Sequence, residues 1–217
     1  MSFCLALKEV DWALTKDVFS IIGTIASAAG IGLAFYVSLV GLSTWKRQLS
    51  GTASHELAKR ALIELYKFRE ALDRVRNPLI LPSENTVTVV ALGRNNEAVD
   101  RYVGRCSAYD NRFKRVAEAR RNLDVTLLEA EALWGNVLKL LVKPLNDKSW
   151  DLYRYIEDHL LSTDPRTAPE ERAAYVDILK GRPNIMYRRT NVAEDDFALS
   201  FNEDLEKAEV YLKYKLA

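Results

Sequence analysis

The chain predicts an all-α fold: an N-terminal transmembrane helix, then a coiled-coil-like antiparallel helical hairpin, then shorter C-terminal helices. Three observations predict it. No Asp, Glu, Lys, Arg or His lies between Val18 and Trp45, and Lys46 and Arg47 follow directly. Apolar residues then recur with 3,4 spacing in two separate stretches. Capping and breaking residues divide the remainder into short amphipathic segments. The resulting segments are 1–17 (periplasmic), 18–45 (transmembrane helix), 46–145 (helical hairpin) and 146–217 (helical region packing on the hairpin).

The uncharged stretch runs to about 28 residues, roughly 42 Å of helix against about 30 Å of hydrocarbon, so it spans with tilt to spare. A core helix of a soluble domain would show a polar face over that many turns. A signal peptide has an apolar region of about 7 to 15 residues behind a basic start. Here Lys8 and Lys16 are mixed with Glu9, Asp11 and Asp17. Ala26-Ser27-Ala28 resembles a cleavage site, but cutting there leaves the apolar run Gly30 to Leu42 on the product.

Orientation follows from the basic flank of Lys46, Arg47, Lys59 and Arg60, which places the C-terminal body in the cytoplasm. Trp12 and Trp45 bracket the span as interfacial anchors, with Lys46 and Arg47 beside them. Within it Ala26, Gly30, Ala34 and Ser38 form one small-residue ridge, and Thr24, Ala28 and Gly32 a second. Such ridges let helices approach closely in lipid, so self-association or a membrane partner is expected. A span without an ionisable residue argues against a proton relay or a charged permeation path.

Beyond the membrane, Leu57, Ala61, Leu65, Phe68, Leu72 and Val75 mark a helix between Ser54 and Asn77, capped by Ser54 or Thr52 and stopped by Asn77-Pro78. The segment 79–96 is long enough to reverse the chain; Val87 to Val90 could form a short strand, but no second strand is evident to pair with it. From Val99 a stripe through Tyr102, Tyr109, Val116, Leu123 and Ala130 continues to Leu141 over about six heptads, with Arg120 its one polar member. A single helix there is about 65 Å long. Gly104 and Gly135 weaken it locally, and Pro144 ends it. The two stripes face each other in a hairpin, leaving Arg60, Lys67, Arg74, Arg115 and Arg121 wet, or else pair between chains as a parallel dimer.

After Pro144, Ser149 caps a helix from Trp150 to Leu161, Thr167-Ala168-Pro169 starts another that Gly181 closes, and Asp195-Asp196 opens a last one reaching Leu216. Its inner face is Phe201, Leu205, Ala208, Leu212 and Leu216.

The strings TWKRQLSG, ELAKRALIELYKFREALDRVRNP, LDVTLLEAEALWG and KPL, between Trp45 and Leu145, resemble a recurrent set of small bacterial membrane-anchored proteins. DDFALSFNEDLEKAEVYL matches that set loosely. The resemblance implies a bacterial inner-membrane protein with a helical cytoplasmic body, and implies no activity, cofactor or catalytic residue.

The residue inventory narrows the functional classes. Of 217 residues, about 170 remain outside the anchor, enough for one helical domain. A net charge of +1 supplies no global field for nucleic acid, and the run Arg112 to Arg121 reads as a solvated helix surface. Cys4 and Cys106 fall on opposite sides of the membrane and cannot pair within one chain; no lipidation signature surrounds Cys4. His55 and His159 lie in no metal-ligand spacing, and GxxxxGK[ST], GxGxxG and GxSxG are absent. Glu129 and Glu131 flank Ala130, but two residues apart on a helix they point to different sides. No cofactor, metal or catalytic residue is therefore expected.

Two clusters remain as partner-binding candidates. Arg74 and Arg76 form a basic tip at Asn77, unless they serve to offset the helix dipole. Tyr187, Arg188 and Arg189 sit in a loop before Glu194, Asp195 and Asp196, acids that equally well stabilise the start of the last helix. The expected function is a membrane-anchored interaction, scaffold or sensor protein without catalysis. The alternative is a membrane effector that forms an oligomeric pore or perturbs the bilayer under control of its body. A protein partner or self-association is expected; nucleic acid is not, and no small molecule is indicated.

Overall fold

A computed structural model describes residues 9–81, 84, 97–189 and 195–216, with side chains from residue 15 onward. Among them lie five helices: α1 Glu9–Val75, α2 Glu97–Trp134, α3 Val137–Ser162, α4 Pro169–Lys180 and α5 Asp196–Leu216. They divide into two compact units, Met1–Ala53 and Ser54–Ala217. The possible strand at Val87 to Val90 and the cysteine Cys4 lie outside the described residues.

In the first unit, α1 is long and apolar enough to cross a membrane, and none of its apolar stretch is buried within the protein. Phe19, Ile31 and Phe35 are exposed, as a lipid-facing helix requires. Polar side chains of the stretch bond to their own helix: Thr24 Oγ1 donates to the Ser20 carbonyl at 2.9 Å, and Ser43 and Thr44 both donate to the Val40 carbonyl.

No helix starts at Thr52 or Ser54, contrary to the capping expectation. α1 runs through both positions, because residues 46–53 contain no proline and the i→i−4 ladder has no reason to stop. Thr52 instead donates back to the Gln48 carbonyl at 3.0 Å.

The second unit is an antiparallel four-helix bundle. Ser54 to Val75 of α1 pairs with α2 running the other way: the Trp134 indole N–H donates to Ser54 Oγ at 3.0 Å, Arg60 pairs with Glu129, and Arg112 donates to the Asn77 carbonyl. The two stripes thus meet within one chain. α3 turns back beside α2, and α5 runs antiparallel to α3, with Lys148 reaching the Ser200 carbonyl at 2.8 Å and the Asp204 carboxylate. The short α4 packs on α3, where Leu179 touches the core and Arg182 pairs with Asp158 at 3.1 Å.

The six stripe residues of the first arm, Leu57 through Val75, are all buried. They join Tyr109, Val116, Leu123 and Ala130 of α2, Val142, Leu145 and Ile156 of α3, and Phe201, Leu205, Ala208 and Leu212 of α5 in a single core. At about 25 cal/mol per Å² of apolar surface, this shared core is the main force holding the four segments together.

The long coiled-coil helix expected up to Pro144 breaks earlier. Gly135 has φ +75°, a left-handed conformation that costs glycine little, and its N–H closes α2 on the Glu131 carbonyl at 3.0 Å. Pro144 lies inside α3 and ends nothing. The apolar phase shifts at the break: Val137 is 45% exposed, while Leu138, Val142 and Leu145 turn inward. Ser149 is likewise interior to α3, buried and donating to the Asn146 carbonyl, so it caps no helix. Since α3 crosses residues 145 and 146, the expected division between hairpin and C-terminal region falls inside one helix of one body.

α4 and α5 begin and end close to expectation. Pro169 occupies the first turn of α4 and Gly181 follows its last residue. Asp195 caps α5, its Oδ1 accepting the Ala198 N–H at 3.1 Å.

Candidate interaction surface

The expected partner-binding residues fall into different places. Arg74 is exposed and pairs with Glu70 one turn back at 2.6 Å. Arg76, expected at a free basic tip, is 2% exposed. Its guanidinium donates to the Ile185 carbonyl at 2.9 Å, the Tyr187 carbonyl at 3.1 Å and Asp195 Oδ1 at 2.8 Å, and lies 4.6 Å from the centre of the Phe197 ring. Arg188 and Arg189 keep their side chains outside, but their backbone N–H groups bond to the Arg76 carbonyl and to Asp195 Oδ2.

Arg76, Tyr187 and Asp195 therefore form an internal clasp rather than a docking patch. A cation this deeply buried needs a carboxylate and several acceptors, and the loop supplies them. Burial pushes the Asp195 carboxyl up, but hydrogen bonds from Arg76 and from the Ala198 and Arg189 N–H groups outweigh it and hold it below the usual carboxylate range.

A second arginine is clasped at the same end of α1. Arg112 of α2 is 4% exposed and donates to the Val75, Asn77 and Leu79 carbonyls and to the Glu84 carboxylate at 2.8 Å. The hydrogen bond from Arg112 holds Glu84 below its ordinary value. Guanidinium forks suit this role because their donors reach several carbonyls at once. In the turn after α3, Asp164 is lowered to about 2 by the hydrogen bond from Arg166.

Ala26, Gly30, Ala34 and Ser38 are all exposed along α1, and nothing approaches within 4 Å of a side chain built at Gly30 or Gly32. Trp45 is exposed, as are Lys46 and Arg47. Trp12 belongs to α1, and its side chain lies outside the described residues. Glu129 and Glu131 are occupied by Arg60 and Lys139, and no group of three potential metal ligands occurs among the described residues.

The surface that sequence reasoning missed is the outer seam of α2 and α3. Three linked depressions run along it, of about 540, 360 and 250 Å³. Arg120 and Trp150 border the first and second, and Phe113 and Tyr153 the second and third, so they form one groove. Val116, Leu127 and Ser149 are its buried floor.

Its walls are an aromatic ladder. Trp150 meets Tyr153 edge-on at 5.8 Å, and Tyr153 meets Phe113 edge-on at 5.0 Å. Leu128 and Leu140, at the Gly135 end, are 63% and 59% exposed, and Trp150 is 51% exposed. Arg120 lies 5.5 Å from the Trp150 ring centre, with Asp124 at 3.7 Å. Arg120, the polar member of the stripe, is the sequence signal for this groove: it is the charge on the core-facing seam, and it borders both the first and the second depression.

No protein family, curated protein or solved structure matches this chain.

Proposed function

We propose that this protein is a membrane-anchored helical interaction protein of a bacterial inner membrane, with its body on the cytoplasmic side, that docks a partner helix in the α2–α3 groove. The observation that carries the reading is the exposed row of Leu128, Leu140, Trp150 and Tyr153 above the buried floor of Val116, Leu127 and Ser149. An apolar groove walled by aromatics suits an amphipathic helix that lays its apolar stripe inside it. Charges of both signs along the rim, Arg120 and Lys143 with Asp124 and Asp147, fix the orientation of such a helix more than its affinity.

Membrane location rests on α1, and the bacterial inner membrane on the string resemblance. The cytoplasmic side follows from the excess of Lys and Arg after the span. The reading needs no catalytic step and no cofactor.

Photocrosslinking tests it. A photoreactive residue placed at Leu140 in the full chain, expressed in cells, is expected to capture one protein species, and Trp150→Glu is expected to cut that capture about tenfold while the chain stays in the membrane. Capture that Trp150→Glu leaves unchanged contradicts docking in the groove.

A second reading starts from the small-residue ridge of Ala26, Gly30, Ala34 and Ser38, all exposed along α1. In that reading the span assembles into an oligomer that perturbs the bilayer. Gly30→Leu with Ala34→Leu separates the two: loss of activity with a folded body supports the membrane effector, and retained activity supports the groove.

A further inference from the structure

We infer that the Gly135 end of the bundle is a foot that rests on the anionic bilayer surface, an inference that depends on α1 crossing the membrane. Trp134, Val137, Tyr211, Tyr214 and Lys215 gather at this end. The Lys215 ammonium lies 5.6 Å from the Trp134 ring centre, 5.5 Å from that of Tyr211 and 5.9 Å from that of Tyr214, and Trp134 meets Tyr211 edge-on at 6.3 Å. At this end Leu133 is 60%, Val137 45% and Tyr214 75% exposed.

The composition identifies the occupant. Trp and Tyr rings gathered round a lysine ammonium, with aliphatic side chains displayed beside them, form a set favoured in the headgroup layer, where apolar and wet groups meet.

Charge agrees. Three acids of this end are paired, Glu129 with Arg60, Glu131 with Lys139 and Glu209 with Lys213. Glu56, 3.9 Å from His55, is outnumbered by Lys59 and Lys215, with Lys46 and Arg47 just before in the chain. A positive surface is attracted to the anionic headgroups of a cytoplasmic leaflet.

Reach is set by the chain. Trp134 is hydrogen-bonded to Ser54, which follows Trp45 by nine residues. That length is about 14 Å as helix and about 30 Å fully extended, an upper limit on the tether that chain connectivity alone sets.

The test uses the full chain in nanodiscs of phosphatidylcholine and phosphatidylglycerol with brominated acyl chains. An environment-sensitive fluorophore is attached at Val137→Cys or Tyr214→Cys, with Cys4→Ser and Cys106→Ser, and compared with Leu79→Cys at the opposite end of the bundle. Quenching about twofold or more stronger at 137 and 214 than at 79 is expected. Equal quenching at the three sites overturns the foot, as does protection of 137 and 214 from both lipid-borne and aqueous quenchers, which means that protein covers them. A label at Ser38→Cys reports the span by itself: quenching there without quenching at 214 removes the foot and keeps the anchor, and no quenching at 38 removes the anchor. The unmodified chain gives an independent readout, since amides of 133–138 and 211–216 are expected to exchange more slowly in anionic nanodiscs than in detergent, and equal exchange again overturns the foot.

Discussion

Arg76 carries its charge into the interior with 2% of its surface exposed, and the groups that compensate it lie 109 to 119 positions further along the chain. Asp195→Ala leaves that cation without a counter-charge and is expected to destabilise the body by about 3–5 kcal/mol in denaturant unfolding. Asp195→Asn, which keeps an acceptor, is expected to cost less. The carboxylates tied to arginine or lysine also set the acid response. Asp195, Asp204 and Glu84 lie below their ordinary values when folded, and Asp164 lies at about 2. A lowered carboxylate stabilises the fold fully above its unfolded value, so thermal stability is expected to fall steeply as pH drops from about 4 toward 2. His159 adds a shallower component. Burial, aided by the charge of Arg105, lowers its value, so the neutral ring is favoured in the fold and stability declines as pH falls below about 6.5. His159→Gln should flatten the melting-temperature profile between pH 7 and 5; an unchanged profile contradicts this assignment. None of these partnerships was legible in the sequence. Arg76 reads there as the last basic residue before Asn77-Pro78, and nothing local announces that a distant loop folds over it.

Helix periodicity was the most legible level. The 3,4 spacing identified the first arm, most of the buried face of α2 and the inner face of α5, because a stripe that must be buried has to repeat at the helical period. It failed where one residue changed the backbone direction. The stripe continues numerically from Trp134 to Val137 and Leu141, yet the positive φ of Gly135 rotates α3 relative to α2, and Leu138 takes the inward place. Gly135→Ala is expected to cost about 1–2 kcal/mol, since a Cβ is disfavoured at that φ although the space around it is open. Pro144→Ala is expected to leave stability unchanged or raise it, because alanine restores the N–H that proline denies to α3. Both are read by urea unfolding of the detergent-solubilised chain. A larger loss at Pro144 than at Gly135 contradicts the placement of the break. The groove escaped notice for a related reason: Leu128, Leu140 and Trp150 are off the core stripe, and only the turn at Gly135 brings them to one surface.

At the scale of the whole molecule, the chain combines an apolar helix that buries nothing in the protein with a bundle that buries its own core. Composition made this division legible, since a long uncharged run without a polar face lacks the pattern of a surface helix of a soluble domain. The identity of the partner was not, because a groove is made by packing and not by any motif. The proposed function needs the apolar stretch of α1 to be held in lipid. Extraction of cell membranes with alkaline carbonate, followed by pelleting, measures this directly. The full chain is expected to remain in the pellet and to be released by detergent alone; recovery in the carbonate supernatant contradicts the account.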